Sequence, residues 1–242
     1  MRLGGRVALV TGAGRRIGRA IALGLAGRGA RLALHYNESL AGAEESRAEI
    51  AAAGGEAHLF RADLRGSGEP ERLVADVAAR LGALDVLVNS AAVMLRTPVG
   101  SVSVADWDAM FALNLRAPFF ASQAAAAHMR EGGAIVNIAD LAAFETWPGY
   151  VPHGISKAGV VQMTRALARV LAPAIRVNAV APGAVMLPED WDASAAARLQ
   201  GTTPLRRLGS PEDVVQAVLY LLDADYVTGE VLVVDGGRHV RG

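Results

Sequence analysis

Cysteine is absent from the 242-residue chain. That rules out a disulfide framework, a thiolate zinc site and a cysteine nucleophile, and it permits a reducing compartment, with the cytoplasm as the expected location. There is no excess of either charge sign: 24 Lys and Arg balance 24 Asp and Glu, so nothing electrostatic draws the chain to nucleic acid or to a membrane surface. Long apolar runs are missing as well. No segment approaches the roughly 18 to 20 apolar residues that span a bilayer, and the run at 7–10 is too short for a signal peptide and meets glycines at once. Metal-ligand spacing is also missing. His35, His58, His128 and His239 are not spaced as ligands, and Glu189, Asp190 and Asp192 have no histidine at a usable distance, so they read as a solvated acidic loop and no metal is expected.

With 52% hydrophobic and 20% charged residues, the chain should bury a sizeable core, and a single domain over 1–242 is expected. Short β-rich apolar runs recur at 6–11, 31–36, 57–62, 84–89, 134–139, 175–180 and 230–235. Between them, 17–28, 40–53, 69–81, 105–130, 154–171 and 211–222 carry Ala, Leu and Val at i, i+3 and i+4, the pattern of helices lying on a sheet. Such alternation predicts right-handed βαβ crossovers and a Rossmann-type, doubly wound α/β fold: a seven-stranded parallel sheet flanked by helices. Ser103 with Asp106, and Ser210-Pro211-Glu212-Asp213, supply helix starts. From 183 to 209 the rhythm lapses between prolines and glycines, and that insertion is expected to contact substrate.

The first βα turn reads TGAGRRIG. Gly12, Gly14 and Gly18 would let backbone approach a pyrophosphate at a helix N-terminus, which makes a dinucleotide site the expectation. The second strand ends His35-Tyr36-Asn37-Glu38-Ser39 with no acid at its very tip, while Arg15 and Arg16 stand beside it. NADP(H) is therefore favoured, with Glu38 keeping NAD(H) open.

Taken in order, TGAGRRIG (11–18), Ala62-Asp63, NSAA (89–92), Asn114, Ser156-Lys157, APG (181–183) and VTGEVLVVDGG (227–237) resemble the short-chain dehydrogenase/reductase family along the whole chain. The resemblance implies that Gly12, Arg15, Arg16, Ile17 and Gly18, with His35, Tyr36, Asn37 and Ser39, hold the nucleotide. It places Asp63 and Leu64 near the adenine, Asn89, Ser90 and Ala91 beside the cofactor, and Pro182 and Gly183 against the nicotinamide. Asn114 would hold a proton-relay water, and Lys157 would bind ribose hydroxyls. It implies assembly as a homotetramer or homodimer through 105–130, 154–171 and the last strand, with the tail Arg238-His239-Val240-Arg241 a candidate to reach a neighbour's pocket. Within the family the pattern is most similar to the pteridine reductase branch, in Arg16, His35-Tyr36, Tyr150, and Asp140 at the usual catalytic serine position. Three positions depart from that branch: His153 replaces the catalytic tyrosine, Met94 stands where an aromatic stacks on pterin, and Ala92 replaces a serine.

Reducing C=O or C=N by hydride leaves negative charge on the heteroatom, so an acid must deliver a proton there. An imidazole titrates near 6.5 and suits that task around neutrality. On a helix, His153 and Lys157 share a face. Lys157 would disfavour the imidazolium and Asp140 would favour it, so Asp140, His153, Lys157 and Asn114 form the candidate catalytic set. Met94, Trp147, Tyr150 and Trp191 are candidates to line a substrate pocket, though aromatics anchor loops as readily. The expected activity is NAD(P)H-dependent reduction of a small carbonyl or imine compound, with pterins among the candidates. The alternative is a lapsed relative that binds NADP(H) as a ligand or regulator.

Overall fold

The apolar runs become strands sandwiched between two helical layers, because an unbroken run has no polar face to give to water. In the computed structural model, residues 1–186 and 193–240 are described. The strands are β1 (Val7–Val10), β2 (Arg31–Tyr36), β3 (Ala57–Arg61), β4 (Leu84–Asn89), β5 (Met129–Ile138), β6 (Ile175–Pro182) and β7 (Val231–Val234). They form one parallel sheet in the order β3-β2-β1-β4-β5-β6-β7. The order reverses direction between β1 and β4, and ligands of such sheets bind at that switch, beyond the carboxyl ends of the strands.

Alternate residues of each strand feed opposite faces. Leu9, Leu87, Ile135 and Val177 pack with Leu73 and Val77 of α3 (Glu69–Leu81), Ala121 and Ala125 of α5 (Ala117–His128) and Val160 and Leu167 of α6 (Val151–Leu171). Ala8, Val10, Val86 and Val136 pack with Ile21 and Leu25 of α1 (Arg16–Ala26), Ile50 of α2 (Leu40–Ala52) and Val214 and Leu221 of α8 (Pro211–Asp223). A fully buried leucine such as Leu9 or Leu87 contributes about 2–3 kcal/mol by leaving water.

Three expectations are corrected. The helix expected over 105–130 is α4 (Val104–Phe111), a π-helical turn (Ala112–Arg116) and then α5. Pro118 explains the break, since it has no N–H for the carbonyl of Asn114 four residues back. The expected strand 134–139 begins earlier, at Met129, which pairs with Leu84 across a register shift. The insertion 183–209 is not all loop, because α7 occupies Ala193–Thr202. The expected caps form. The Ser103 hydroxyl accepts from the Asp106 N–H at 3.0 Å, and Ser210 N–H donates to Asp213 at 2.7 Å. Among the described residues no helix is long and apolar enough to cross a membrane.

Candidate active site

The glycine turn is shaped by contacts that leave no room for a Cβ. Gly12 has φ +70°, and a Cβ there would lie 3.0 Å from the Ala91 Cα. A Cβ on Gly18 would strike the Gly12 carbonyl, and one on Gly14 would lie 2.8 Å from the Ser39 carbonyl oxygen. These contacts press the start of α1 and the tip of β2 against the turn, leaving a cradle of backbone with the helix N-terminus behind it, which fits a pyrophosphate. The Thr11 hydroxyl accepts from the N–H groups of Ser90 (2.9 Å) and Ala91 (3.0 Å), tying the turn to the end of β4. Ile17 packs half-buried on the core.

His35 does its work behind this cradle. It is buried, Gly12 N–H donates to its Nδ1 at 3.1 Å, and its Nε2 lies 3.1 Å from the Ala62 carbonyl. Loss of solvation pulls its pKa down to about 4, so the ring is neutral and Nε2 is the nitrogen that donates. His35 is 2% exposed and is held within the fold by Gly12 and the Ala62 carbonyl.

Tyr36, Asn37 and Ser39 are half-buried at the tip of β2. The Asp63 carboxylate is held in a bidentate pair by Arg65, chiefly a hydrogen-bonded pair, which keeps its pKa below the usual range. Leu64 is a core residue whose side chain faces inward. Arg16 has the left-handed φ of +51°, the conformation that glycine adopts without strain. Its guanidinium donates to the Met186 carbonyl at 2.7 Å, at the root of the 183–209 segment. Arg15 is exposed and has no ion pair among the described residues, so it is the free cation of the two.

The reaction corner lies at the C-terminal end of β5. A buried polar ladder supports it: Asn89 donates to Ser122 (3.1 Å) and to Asn137 (2.8 Å), and Asn137 donates to Thr164 (3.0 Å). The Asn114 side chain is fully spent, accepting from Val93 N–H and donating to the Val93 carbonyl (both 2.9 Å) and to Ser156 (3.1 Å). Asp140 caps the short turn Leu141–Ala143, Oδ1 accepting from Ala142 N–H at 2.8 Å, and its Oδ2 lies 3.7 Å from His153 Nε2. Pro152 stands in the first turn of α6, where no N–H is missed, so the helix begins early enough to carry both His153 and Lys157. Lys157 is buried and donates to the Ile138 carbonyl at 2.8 Å. Loss of solvation pulls its pKa down to about 8, with Asp140 opposing the shift. His153 is 2% exposed, and neither ring nitrogen has a hydrogen-bond partner among the described residues.

Met94 is 40% exposed, and Trp147 and Tyr150 are half-buried in an edge-on pair at 6.4 Å. Pro182 ends β6, and Gly183 follows where a Cβ would lie 2.7 Å from that of Asp235. Trp191 falls outside the described residues. Of the tail, Arg238 pairs with Glu145 at 3.8 Å, and Arg241 falls outside the described residues. Sequence reading missed Thr11, Ser122, Asn137, Glu145 and Asp235. Thr11 and Asp235 lie inside stretches it singled out, whereas the others have no local signature.

The family described as enoyl-(acyl carrier protein) reductase matches residues 12–239. The 3-oxoacyl-[acyl-carrier-protein] reductase of Synechocystis sp. is 37% identical over 238 residues, 96% of each protein. The chain belongs to the short-chain dehydrogenase/reductase family. Its fold superposes on the blue fluorescent protein from a metagenomic library, solved with NADPH, with a TM-score of 0.92 and 37% identity over 98% of this chain and 99% of that one. FolM alternative dihydrofolate reductase 1 from Brucella canis, solved with NADP, gives a TM-score of 0.94 and 33% identity over 100% and 96% of the two chains. In this short-chain dehydrogenase/reductase the cradle of Gly12, Gly14 and Gly18 lies at the sheet's switch point, and Asp140, His153 and Lys157 stand beyond β5 on the same edge.

Proposed function

We propose that the protein reduces the C=O bond of a small ketone with NADPH, and that His153 delivers the proton. The observation that carries this reading is the buried His153 ring, whose nitrogens make no hydrogen bond among the described residues while Asp140 Oδ2 lies 3.7 Å from Nε2. A buried imidazole with neither nitrogen paired costs stability, and the cost is repaid if a substrate oxygen accepts from it.

The nicotinamide supplies a hydride to the carbonyl carbon when bound. The chain's own residues do the rest. Arg15 and the glycine cradle take the phosphates. His153 gives its proton to the carbonyl oxygen, so an alcohol leaves, while the Asp140 carboxylate, Oδ2 3.7 Å from Nε2, faces the ring. Lys157 orients the ribose hydroxyls and recharges the histidine. Asn114 contributes its main-chain carbonyl to a relay water, since its side chain is engaged with Val93 and Ser156 and Pro118 leaves that carbonyl without its usual donor.

Carbonyl reduction is supported by the Synechocystis relative, a 3-oxoacyl reductase. A dihydropterin is the second substrate class, favoured by the likeness to FolM, by Arg16 and by Asp140; Met94 offers it no stacking ring. Two or four copies associate through α4, α5 and α6, where a groove of about 780 Å³ is lined by Phe111, Leu115, Phe119 and Met163, and through β7. The test is titration with NADPH and NADH, then turnover against ketones, diketones, imines and dihydropterins. Tighter NADPH binding with ketone turnover supports the proposal. Tight binding with no turnover, and activity gained in His153→Tyr, would mark a lapsed enzyme.

A further inference from the structure

The last described turn of the chain lies against the segment between Asp140 and α6. Asp235 builds that turn. Its carboxylate accepts from the N–H groups of Gly237 (2.8 Å) and His239 (2.7 Å), and Oδ2 lies 2.8 Å from His239 Nδ1. With its side chain only 3% exposed and its Cβ against Gly183, Asp235 has little freedom to move. Arg238 Nη2 thereby lies 3.8 Å from Glu145 Oε2. The same carboxylate oxygen accepts from Trp147 Nε1 at 3.0 Å.

The chain of contacts continues to the reaction corner. The Trp147 ring meets Tyr150 edge-on, and Tyr150 N–H donates to the Trp147 carbonyl at 2.8 Å. Tyr150 is the cap residue of α6, three residues before His153. Gly149, between them, is held by Thr97 N–H donating to its carbonyl at 2.8 Å. Glu145 is thus the pivot of two constraints, one from the C-terminal turn and one from an indole.

We infer that Arg238 is a positioning residue that sets which acceptors the enzyme takes, by clamping Glu145 and through it the Trp147–Tyr150 wall. This rests on the reading of the site as a reductase. The pair is partly shielded, with the Arg238 and Glu145 side chains 15% and 27% exposed, so it holds geometry better than a fully solvated pair would. Among the described residues no hydrogen bond or ion pair joins Arg238 to Asp140, His153 or Lys157, and its loss should therefore act on acceptor binding and spare the chemical step.

Two readouts test the clamp. In kinetics, Arg238→Ala should raise the acceptor KM about fivefold or more with kcat and NADPH affinity within about twofold, and Arg238→Lys should restore part of the loss. Glu145→Gln, which keeps an acceptor for Trp147 Nε1 and discards the charge, should give a smaller rise in KM, and it serves if Arg238→Ala does not fold. In a Trp107→Phe, Trp191→Phe background, where Trp147 alone emits, Arg238→Ala should increase acrylamide quenching. Unchanged KM in both variants overturns the inference, as does a joint fall of kcat and NADPH affinity. If the parent protein turns over none of the substrates tested, the reductase reading has failed and the quenching alone decides: increased quenching sustains the clamp, and unchanged quenching removes it.

Discussion

Around the glycine turn, Thr11, His35 and Ser46 are all hydrogen-bonded within the fold, whereas beyond β5 the ring nitrogens of His153, just as buried, make no hydrogen bond among the described residues. The difference tracks the demands of the two ends. A phosphate is held by backbone N–H groups, and those are presented well only if the residues behind them are locked. A reacting oxygen must be met by a side chain whose hydrogen bond is still unmade, so the fold pays there for an open valence.

His153→Ala breaks the comparison most sharply. It should lower kcat by about 10²- to 10⁴-fold, the usual worth of a general acid, with NADPH affinity within twofold by fluorescence titration. An unchanged kcat would return the histidine to packing.

Titration separates the two ends by pH. His35 has its folded pKa near 4, below the unfolded value. The stability it supports is present above about pH 6.5 and is lost as pH falls toward 4, on the order of 3 kcal/mol at most. Lys157 has its folded pKa lowered to about 8. Its burial costs stability while it is charged in both states, and the cost is relieved between about pH 8 and 10.5, because there the unfolded chain binds more protons. Denaturant melts across pH should therefore show acid loss that disappears in His35→Asn. Ribose binding by the ammonium should weaken above about pH 8, read as a rise in NADPH Kd.

Gly18→Ala should destabilise by about 1–3 kcal/mol, because the new Cβ meets backbone that cannot swing aside. It should weaken NADPH binding while leaving the ladder from Asn89 to Thr164 intact. The smallest effect is expected from Arg16→Gly. It relieves a left-handed φ and so should raise stability by about 1 kcal/mol, while removing the tie to Met186; a fall in Tm would show that the tie outweighs the strain.

The sheet could be read from the chain because strands such as β1 and β4 are apolar runs and crossovers such as α1 and α3 are amphipathic, both local signals. The break before α5 was hidden, since Ala and Leu spacing runs on through Asn114 while one proline interrupts the hydrogen bonds. The start of β5 at Met129 was hidden by a run that looked helical. At the site, the glycines, His153 and Lys157 were readable as residue types. What they touch was not. Arg16 reaches Met186 and Arg238 reaches Glu145, partners far apart in the chain, and no spacing rule encodes pairs that only tertiary packing brings together. The two hydrogen bonds of the buried His35 ring, to Gly12 and to Ala62, were hidden for a related reason.

The reversal of strand order between β1 and β4 also bears on how the chain comes into being. β1, near the N-terminus, is hydrogen-bonded on one side by β2 and on the other by β4, so one of its edges stays bare until residues 84–89 have been made. At about 5–20 residues per second of synthesis, that leaves an unpaired apolar strand waiting for several seconds. The nucleotide cradle, tied by Thr11 to Ser90 and Ala91, is completed by the first strand of the second half, so a nascent chain cut short before β4 has no finished site with which to capture a cofactor.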